Sequence, residues 1–327
     1  IMRIRLTGTD NIRGRYDVEM RSLGKTGFEV SALGFGGGPV GYLETDRGQV
    51  AEILNALLDR GVNLIDTAAS YRGSEEAIGE TIGHRRDDYV LVSKCGQAFD
   101  DIEGPAWSAS AIEQTVDRAL RRLKTNHLDV MLLHSCDLET LKKGEALGAL
   151  VKARDAGKVR FVGYSGDNEA AAHAAGLDEV AVVETSINIC DQANIDNVLP
   201  EARRNNVGVL AKRSIANAAW RDASEQRGMY VDYAKTYTGR LAKMAITPAD
   251  LGFPGEIGAA WSEIALRFTL WQPGVTTAIV GTTKTSNVER NLEALSKGAL
   301  PENVVTELRA AFQRAEEAAS EPWLGQR

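Results

Sequence analysis

A closed (β/α)8 barrel, an α/β fold, is the fold class that the sequence predicts. Eight short strand-like runs alternate with helical patterns along the 327 residues. The runs are continuously apolar, as in Val130-Met131-Leu132-Leu133, which is typical of parallel strands covered on both faces. Eight units favour closure into a TIM barrel, and a doubly wound open sheet is the structural alternative. The predicted strands are residues 31–35, 63–67, 89–95, 128–135, 159–165, 180–188, 207–213 and 276–281.

The segment before the first barrel strand predicts an N-terminal β-hairpin. Residues 21–30 place two short strand-like pieces around Gly-Lys-Thr-Gly, and such a hairpin can cap one end of the barrel. The arm before it, residues 1–20, is expected to be flexible. No low-complexity linker interrupts the sequence, so we expect one domain over residues 1–327.

Helices are predicted between the strands and at the end of the chain. An apolar stripe indicates a helix over residues 45–60, and a second helix begins near Ser110, where Ser110 and Glu113 form a capping-box pattern. A further helix is predicted over residues 301–319. Helices of this kind lie outside a parallel barrel.

Composition excludes several classes of protein. A formal charge of −7 and a pI near 5.3, without basic runs interleaved with aromatics, argue against a nucleic-acid partner. No apolar stretch approaches the ~20 residues that cross a bilayer, and an apolar signal segment is lacking, so we expect no membrane partner and a cytoplasmic location. Three cysteines and four histidines show no metal-ligand spacing, and no metal site is predicted.

Four polar residues come at the ends of three successive predicted strands. Asp66 ends the second strand and Tyr71 follows it, Lys94 ends the third strand and His134 the fourth. A lone Lys or His is commonly structural, but barrel enzymes gather their catalytic groups at the carboxyl ends of strands. An ammonium beside a phenol lowers the phenol's pKa, which suits proton delivery to a carbonyl oxygen as hydride arrives at its carbon. In this interpretation Asp66 orients Lys94, and His134 positions the substrate oxygen.

The stretch that contains Asp66 and Tyr71 resembles the aldo-keto reductase family. Residues 66–76 read Asp-Thr-Ala-Ala-Ser-Tyr-Arg-Gly-Ser-Glu-Glu, a specific signature in which Arg72 replaces the family's usual Gly. The resemblance implies NAD(P)H-dependent reduction of aldehydes and ketones by a tetrad of Asp66, Tyr71, Lys94 and His134, with a small carbonyl or alcohol as partner. Alternatives are a sugar or polyol dehydrogenase that works oxidatively, and a cofactor-binding regulatory subunit.

A Gly-x-Gly-x-x-Gly pattern at Gly36, Gly38 and Gly41 imitates a dinucleotide fingerprint, with Asp66 in the position of its ribose-binding acid. That fingerprint requires a helix at the glycines, whereas Pro39 is expected to delay the helix to about Thr45. The resemblance instead implies that the turn at Gly36 and Gly37 lies near the nicotinamide ribose.

The segment after the eighth strand predicts a phosphate site. Free backbone N–H groups, hydroxyls and a cation precede the helix of residues 288–295, although Ser286 and Glu289 also fit an ordinary capping box. The resemblance places the adenosine 2'-phosphate here, so Lys284 indicates NADP(H). Asn287 stands where many NADP-preferring members carry Arg, which keeps NAD(H) open, and Arg290 could compensate. The cofactor candidates in this segment are Gly281, Thr282, Thr283, Lys284, Asn287, Arg290 and Asn291.

Other implied cofactor positions depart from the family pattern. Ser165-Gly166 replaces the family's Ser-Asn, which holds the carboxamide, and Glu184 aligns with the family's Gln at the sixth strand. Lys212-Arg213, followed by Ser214, replaces the stacking aromatic, and the Arg213 guanidinium could lie on the nicotinamide instead.

Two long loops supply the substrate candidates. Residues 98–108 carry Trp107, and residues 216–258 carry Trp220 and Tyr230; Trp323 in the tail is a further candidate. Long loops at the carboxyl ends of barrel strands commonly determine specificity.

Overall fold

The computed structural model describes residues 18–326, and in this range eight parallel strands close into a barrel. The strand order is β10-β3-β4-β5-β6-β7-β8-β9, and β1 and β2 pair antiparallel outside it. The predicted barrel is therefore confirmed, and the open sheet is not formed. Most of the arm predicted at residues 1–20 lies outside the described residues. The strands are β1 Met20–Ser22, β2 Glu29–Ser31, β3 Leu33–Gly36, β4 Leu64–Asp66, β5 Val90–Cys95, β6 Leu128–His134, β7 Val159–Ser165, β8 Val180–Ser186, β9 Gly208–Lys212 and β10 Thr277–Val280.

Helices surround the barrel on its outer face. Apolar side chains of these helices pack on the outward-facing residues of the strands and form the main core. The helices are α1 Gly38–Tyr42, α2 Arg47–Asp59, α3 Ser74–Thr81, α4 Ala109–Arg122, α5 Leu138–Lys143, α6 Glu145–Asp155, α7 Asn168–Ala175, α8 Ala193–Asn197, α9 Leu199–Arg204, α10 Tyr230–Met244, α11 Ile257–Leu270, α12 Thr285–Ser296 and α13 Glu302–Glu317.

The hairpin β1–β2 closes the amino end of the barrel, as its sequence predicts. Leu23, Phe28 and Val30 join the inward-facing strand residues in one buried cluster. The two strands are connected by a short 3-10 helix, Gly24–Thr26. Leu23 packs directly on Gly208 of β9, where an added Cβ would lie only 2.5 Å from Leu23 Cδ1. With this end filled by apolar side chains, the carboxyl end is left for the polar site.

Three predicted helix starts are wrong in detail. A short helix begins at Gly38, with Pro39 in its first turn, and thus earlier than the predicted Thr45. Helix α4 is capped by Ser108, whose Oγ accepts a hydrogen bond from the Ala111 N–H, and not by Ser110. The side chain of Ser286 caps no helix either, because α12 already begins at Thr285 without a side-chain cap.

Candidate functional site

The ends of β4 and β5 hold a buried ion pair. Lys94 Nζ lies 2.5 Å from Asp66 Oδ1 and donates a second hydrogen bond to the Thr67 carbonyl at 2.9 Å. Lys94 is fully buried and Asp66 is 3% exposed. An ammonium in such a place is stable only with an anionic partner and satisfied N–H groups. The structure therefore brings together Asp66 and Lys94 in the relation that the sequence predicts.

Glu184, at the end of β8, is a second carboxylate beside Lys94. Its Oε2 lies 3.2 Å from Lys94 Nζ, and the side chain is 2% exposed. The resemblance assigned Glu184 to the cofactor alone, and it did not reveal this contact with the tetrad.

The charges in this cluster oppose one another. Burial disfavours the charged form of Lys94, but the carboxylates of Asp66 and Glu184 outweigh it and raise the pKa of the ammonium. Burial, together with the neighbouring charge of Glu184, raises the pKa of Asp66 well above its ordinary value despite Lys94. Lys94 is thus held charged, and Asp66 retains a proton more readily than an isolated carboxylate would.

Tyr71 lies in the loop that follows β4, and its ring is close to Lys94. The Lys94 ammonium lies 5.1 Å from the centroid of the Tyr71 ring. Lys94 lowers the pKa of the phenol, as predicted, but burial is the larger effect, and Asp66 and Glu184 add to it, so the pKa of Tyr71 is raised well above 10. The predicted lowering by Lys94 is present but does not offset burial, so Tyr71 is a protonated donor.

His134 stands on the other side of Tyr71, with ring centroids 5.9 Å apart in an edge-to-face arrangement. Burial lowers the pKa of His134 well below its ordinary value, and the charges of Lys94 and Lys212 act in the same direction. The ring is consequently neutral near pH 7 and has one N–H. Ser70 Oγ lies 3.4 Å from His134 Nδ1, and Ser70 also contacts the Tyr42 hydroxyl. The neutral imidazole can donate to an oxygen beside Tyr71.

The turn after β3 approaches β4 very closely. The Gly37 N–H donates to the Asp66 carbonyl at 2.7 Å, and a Cβ at Gly37 would lie 2.6 Å from Ser74 Oγ. At Gly36 a Cβ would lie 2.7 Å from a methyl group of Ile279. These glycines let the turn pack directly against Ile279 and Ser74, which brings its backbone beside Asp66.

Two buried polar atoms on adjacent strand ends make no well-aligned hydrogen bond within residues 18–326. They are Ser165 Oγ on β7 and Glu184 Oε2 on β8, which are paired in register, and Glu184 Oε2 has only its ionic contact with Lys94 Nζ at 3.2 Å. The Gly166 N–H donates to the Glu184 carbonyl at 3.0 Å, and a Cβ at Gly166 would collide with Tyr164. A hydroxyl and a carboxylate oxygen in this position can bind a group that both donates and accepts hydrogen bonds, such as a carboxamide.

The end of β9 carries two paired cations and a buried hydroxyl. Lys212 Nζ lies 3.1 Å from Asp167 Oδ2, and Ser214 Oγ donates to the Ile279 carbonyl at 2.5 Å. Arg213 donates to the Gln326 carbonyl at 2.7 Å and also hydrogen-bonds the Tyr233 hydroxyl. The Arg213 guanidinium lies 4.3 Å from the centroid of the Tyr233 ring. It therefore stacks on an aromatic ring of the chain itself, where the sequence predicts stacking on the nicotinamide.

The segment after β10 forms an uncapped helix start. Thr282 Oγ1 accepts hydrogen bonds from the Lys284 N–H at 3.1 Å and from Asn287 Nδ2 at 3.0 Å. Lys284 and Arg290 are exposed, whereas Glu289 pairs with Arg60. At Gly281 a Cβ would lie 2.6 Å from Pro39, which brings this segment against the turn after β3. The remaining candidates, Thr283 and Asn291, are half-buried along the same loop and helix.

Comparison with known proteins decides the family. A model of the aldo/keto reductase family matches residues 32–312. The chain belongs to this family. The L-galactose dehydrogenase of Arabidopsis thaliana is 27% identical over 298 residues, which cover 86% of this chain and 89% of the relative. A "probable voltage-gated potassium channel subunit beta" of Arabidopsis thaliana is 24% identical over 300 residues, or 85% of this chain and 91% of the relative.

A solved structure agrees with this assignment at the level of the fold. The holo form of an aldo-keto reductase from Bacillus halodurans has a TM-score of 0.74 and 23% identity, and it covers 90% of this chain and 96% of that chain. Membership in the aldo/keto reductase family identifies the chain as an oxidoreductase with the barrel fold.

The substrate candidates occupy different surroundings. Trp107 packs on Gly96, just beyond Lys94, and a Cβ at Gly96 would lie 2.0 Å from its ring. The Tyr230 hydroxyl faces the turn after β3, 3.4 Å from the place of a Cβ on Gly38. Trp220 instead stacks on Trp261, with centroids 6.4 Å apart, in a cluster beneath α10 and α11. Trp323 is buried against Phe312. Trp107 and Tyr230 are thus the candidates nearest to the strand ends that carry the tetrad.

Sequence reasoning missed Tyr42 and Asp167. Tyr42 packs edge-on against Tyr71, with centroids 5.2 Å apart, and Asp167 pairs with Lys212. The available signal was that both lie in connections that follow barrel strands, Asp167 two residues after β7 and Tyr42 at the end of α1 after β3, since that edge carries the polar groups of barrel enzymes.

Residues 18–326 contain no cluster of three His, Cys, Asp or Glu side chains arranged to hold a metal ion. In the same range no helix is both long and apolar enough to cross a membrane.

Proposed function

We propose that the chain is a cytoplasmic oxidoreductase that interconverts a small carbonyl compound and its alcohol with NADP(H), NAD(H) being the alternative cofactor. The observation that carries the proposal is the buried Asp66–Lys94 pair beneath Tyr71, with neutral His134 beside it. These groups supply a proton donor, a charge that stabilises its conjugate base, and a second hydrogen-bond donor.

The residues at the strand ends fit a nicotinamide dinucleotide. Ser165 Oγ and Glu184 Oε2 offer a carboxamide one donor and one acceptor, and the turn at Gly36 and Gly37, beside Asp66, is where we place the ribose. The amino end of α12 has free N–H groups, with Lys284 beside them, and suits a phosphate. When bound, the nicotinamide supplies or accepts the hydride. Lys284 is the basis for our preference for NADP(H) over NAD(H).

In the direction of reduction, Tyr71 donates its proton to the carbonyl oxygen. The N–H of neutral His134 donates to the same oxygen and fixes its position. Lys94 stabilises the resulting phenolate, and Asp66 keeps Lys94 charged and oriented. In the direction of oxidation the phenolate removes the alcohol proton. Burial of these groups strengthens their interactions, because little water competes with them.

Oxidation of a sugar or polyol is the second candidate function. The similarity to L-galactose dehydrogenase favours it. The same tetrad serves both directions.

A screen of aldehydes, ketones, sugars and polyols with NADP(H) and NAD(H), run in both directions, tests the proposal. We expect turnover with at least one carbonyl–alcohol pair, together with quenching of protein fluorescence by the cofactor. Cofactor binding without turnover of any compound would instead favour a regulatory subunit, a function suggested by the similarity to the potassium channel subunit beta. Absence of cofactor binding would refute the proposal.

A further inference from the structure

The group of Asp66, Lys94 and Glu184 contains two acids and one base. Lys94 Nζ lies 2.5 Å from Asp66 Oδ1 and 3.2 Å from Glu184 Oε2, and the three side chains are at most 4% exposed. They come from β4, β5 and β8, so the contact between Lys94 and Glu184 crosses the barrel interior. If both acids were ionised, the group would have a net charge of −1 away from water, which is unfavourable.

The neighbouring cations have partners of their own. Lys212 pairs with Asp167 at 3.1 Å, and Arg213 is bonded to the Gln326 carbonyl and to Tyr233. His134 is neutral, because burial and the nearby lysines lower its pKa. The excess charge is removed most simply by one proton held between the two carboxyl groups, since both lie within 3.2 Å of the same Lys94 Nζ.

We propose that Asp66 and Glu184 share one proton above Lys94, and that Glu184 is a positioning residue that acts through Lys94 on the proton donor Tyr71. Each carboxyl group is then a sufficient counterion for Lys94 when the other is neutral. The part of the proposal that concerns Tyr71 rests on the proposed function, whereas the shared proton does not.

Loss of the shared proton has a definite effect on Tyr71. The pair consists of Asp66 and Glu184. The other titratable and charged groups around it are Tyr42, Tyr71 from the loop after β4, Lys94 from β5, His134 from β6, Asp167 after β7, and Lys212 and Arg213 from the end of β9. Rising pH adds a negative charge to the pair, and the charges of Asp66 and Glu184 raise the pKa of Tyr71. Tyr71 is then a poorer proton donor, so reduction slows at alkaline pH.

Infrared spectroscopy of the cofactor-free protein tests the shared proton directly. We expect a protonated-carboxyl C=O band near neutral pH that is absent from both Asp66→Asn and Glu184→Gln, since in each variant the remaining acid is ionised beside Lys94. Glu75→Gln is the matched control, because Glu75 is a buried glutamate that contacts Ser93 and Arg122 and not Lys94. A band that persists in Glu184→Gln would overturn the shared proton even if the protein had no enzymatic activity.

Kinetics test the action on Tyr71. The alkaline fall of the reductive kcat in the wild type should be absent from Glu184→Gln, while Glu75→Gln retains it. At pH 7 the single variants Asp66→Asn and Glu184→Gln should each keep kcat within about tenfold of the wild type, because Lys94 retains one counterion. In the double variant Asp66→Asn/Glu184→Gln, kcat should fall at least about tenfold further than the product of the two single effects. An unchanged pH profile in Glu184→Gln, or Asp66→Asn alone as damaged as the double variant, would contradict the role of Glu184. If the double variant does not fold, the single-variant profile decides.

Discussion

Lys94 is the residue on which the geometry of the site depends. Its ammonium is fully buried and is held by Asp66, by Glu184 and by the Thr67 carbonyl. Removing one partner from a buried charge commonly costs about 3–5 kcal/mol, because the remaining charge is uncompensated. The second carboxylate reduces this dependence on Asp66 and distinguishes the site from a tetrad with a single acid.

At the residue scale, Lys284 should distinguish the two cofactors. It is exposed at the uncapped start of α12, where its charge can reach an adenosine 2'-phosphate. We expect Lys284→Ala to weaken NADPH binding about tenfold and to leave NADH binding nearly unchanged, as measured by fluorescence titration. Lys297→Ala, at the other end of the same helix, is the control and should change neither affinity. An equal loss for both cofactors would show that Lys284 reads no 2'-phosphate.

At the element scale, the start of α4 shows how a cap is chosen between two serines. Ser108 Oγ accepts from the Ala111 N–H at 3.2 Å and donates to the Pro105 carbonyl at 2.8 Å, whereas exposed Ser110 bonds only Gln114 within this region. Ser108→Ala should therefore lower the free energy of unfolding by about 1 kcal/mol, and Ser110→Ala by a few tenths at most. Urea denaturation measures both, and the reverse order would contradict the assigned cap.

The contact between α10 and the C-terminal segment should depend on pH through Asp191. Its carboxylate accepts from the Tyr237 hydroxyl at 2.7 Å and from the Gln326 N–H at 3.0 Å. Burial, reinforced by the charge of Asp167, nevertheless raises the pKa of Asp191 to about 6. Between the ordinary carboxyl pKa and 6 the folded state binds the proton and the unfolded state does not, so this contribution to stability is present at low pH and is lost as the pH rises through 6.

Asp191→Asn should remove this dependence. From pH 4 to pH 7 the stability of the wild type relative to the variant should fall by about 3 kcal/mol, which corresponds to a pKa difference of about two. Urea midpoints of both proteins across this range measure the difference, and Asp232→Asn, an exposed substitution on α10, is the control. A difference that is constant with pH, or that grows with pH, would contradict the account.

At the scale of the whole molecule, the barrel and the tetrad could be predicted because both depend on local sequence. Continuous apolar runs mark the strands, and residues that directly follow them reach the same rim, as Asp66, Lys94 and His134 do. The hairpin was equally visible from its turn.

What could not be predicted depends on contacts between distant elements. Glu184 contacts Lys94 across the barrel interior, although the two residues are far apart in sequence. The pKa of Tyr71 depends mainly on its burial, which distant parts of the chain produce. Trp220 stacks on α11 because the long segment after β9 folds into helices of its own. Sequence spacing alone does not determine such packing.

The role of Tyr71 as proton donor is the central claim, and Tyr71→Phe tests it most directly. The measurement is the rate of NADPH oxidation with an aldehyde that the wild type reduces, together with the cofactor dissociation constant. Tyr89→Phe is the control, because it removes a buried hydroxyl without a partner among residues 18–326 at the opposite end of β5. We expect Tyr71→Phe to lower kcat by about 10²–10⁴-fold with cofactor affinity retained, and Tyr89→Phe to leave kcat nearly unchanged. Equal rates in Tyr71→Phe and the wild type would contradict the account.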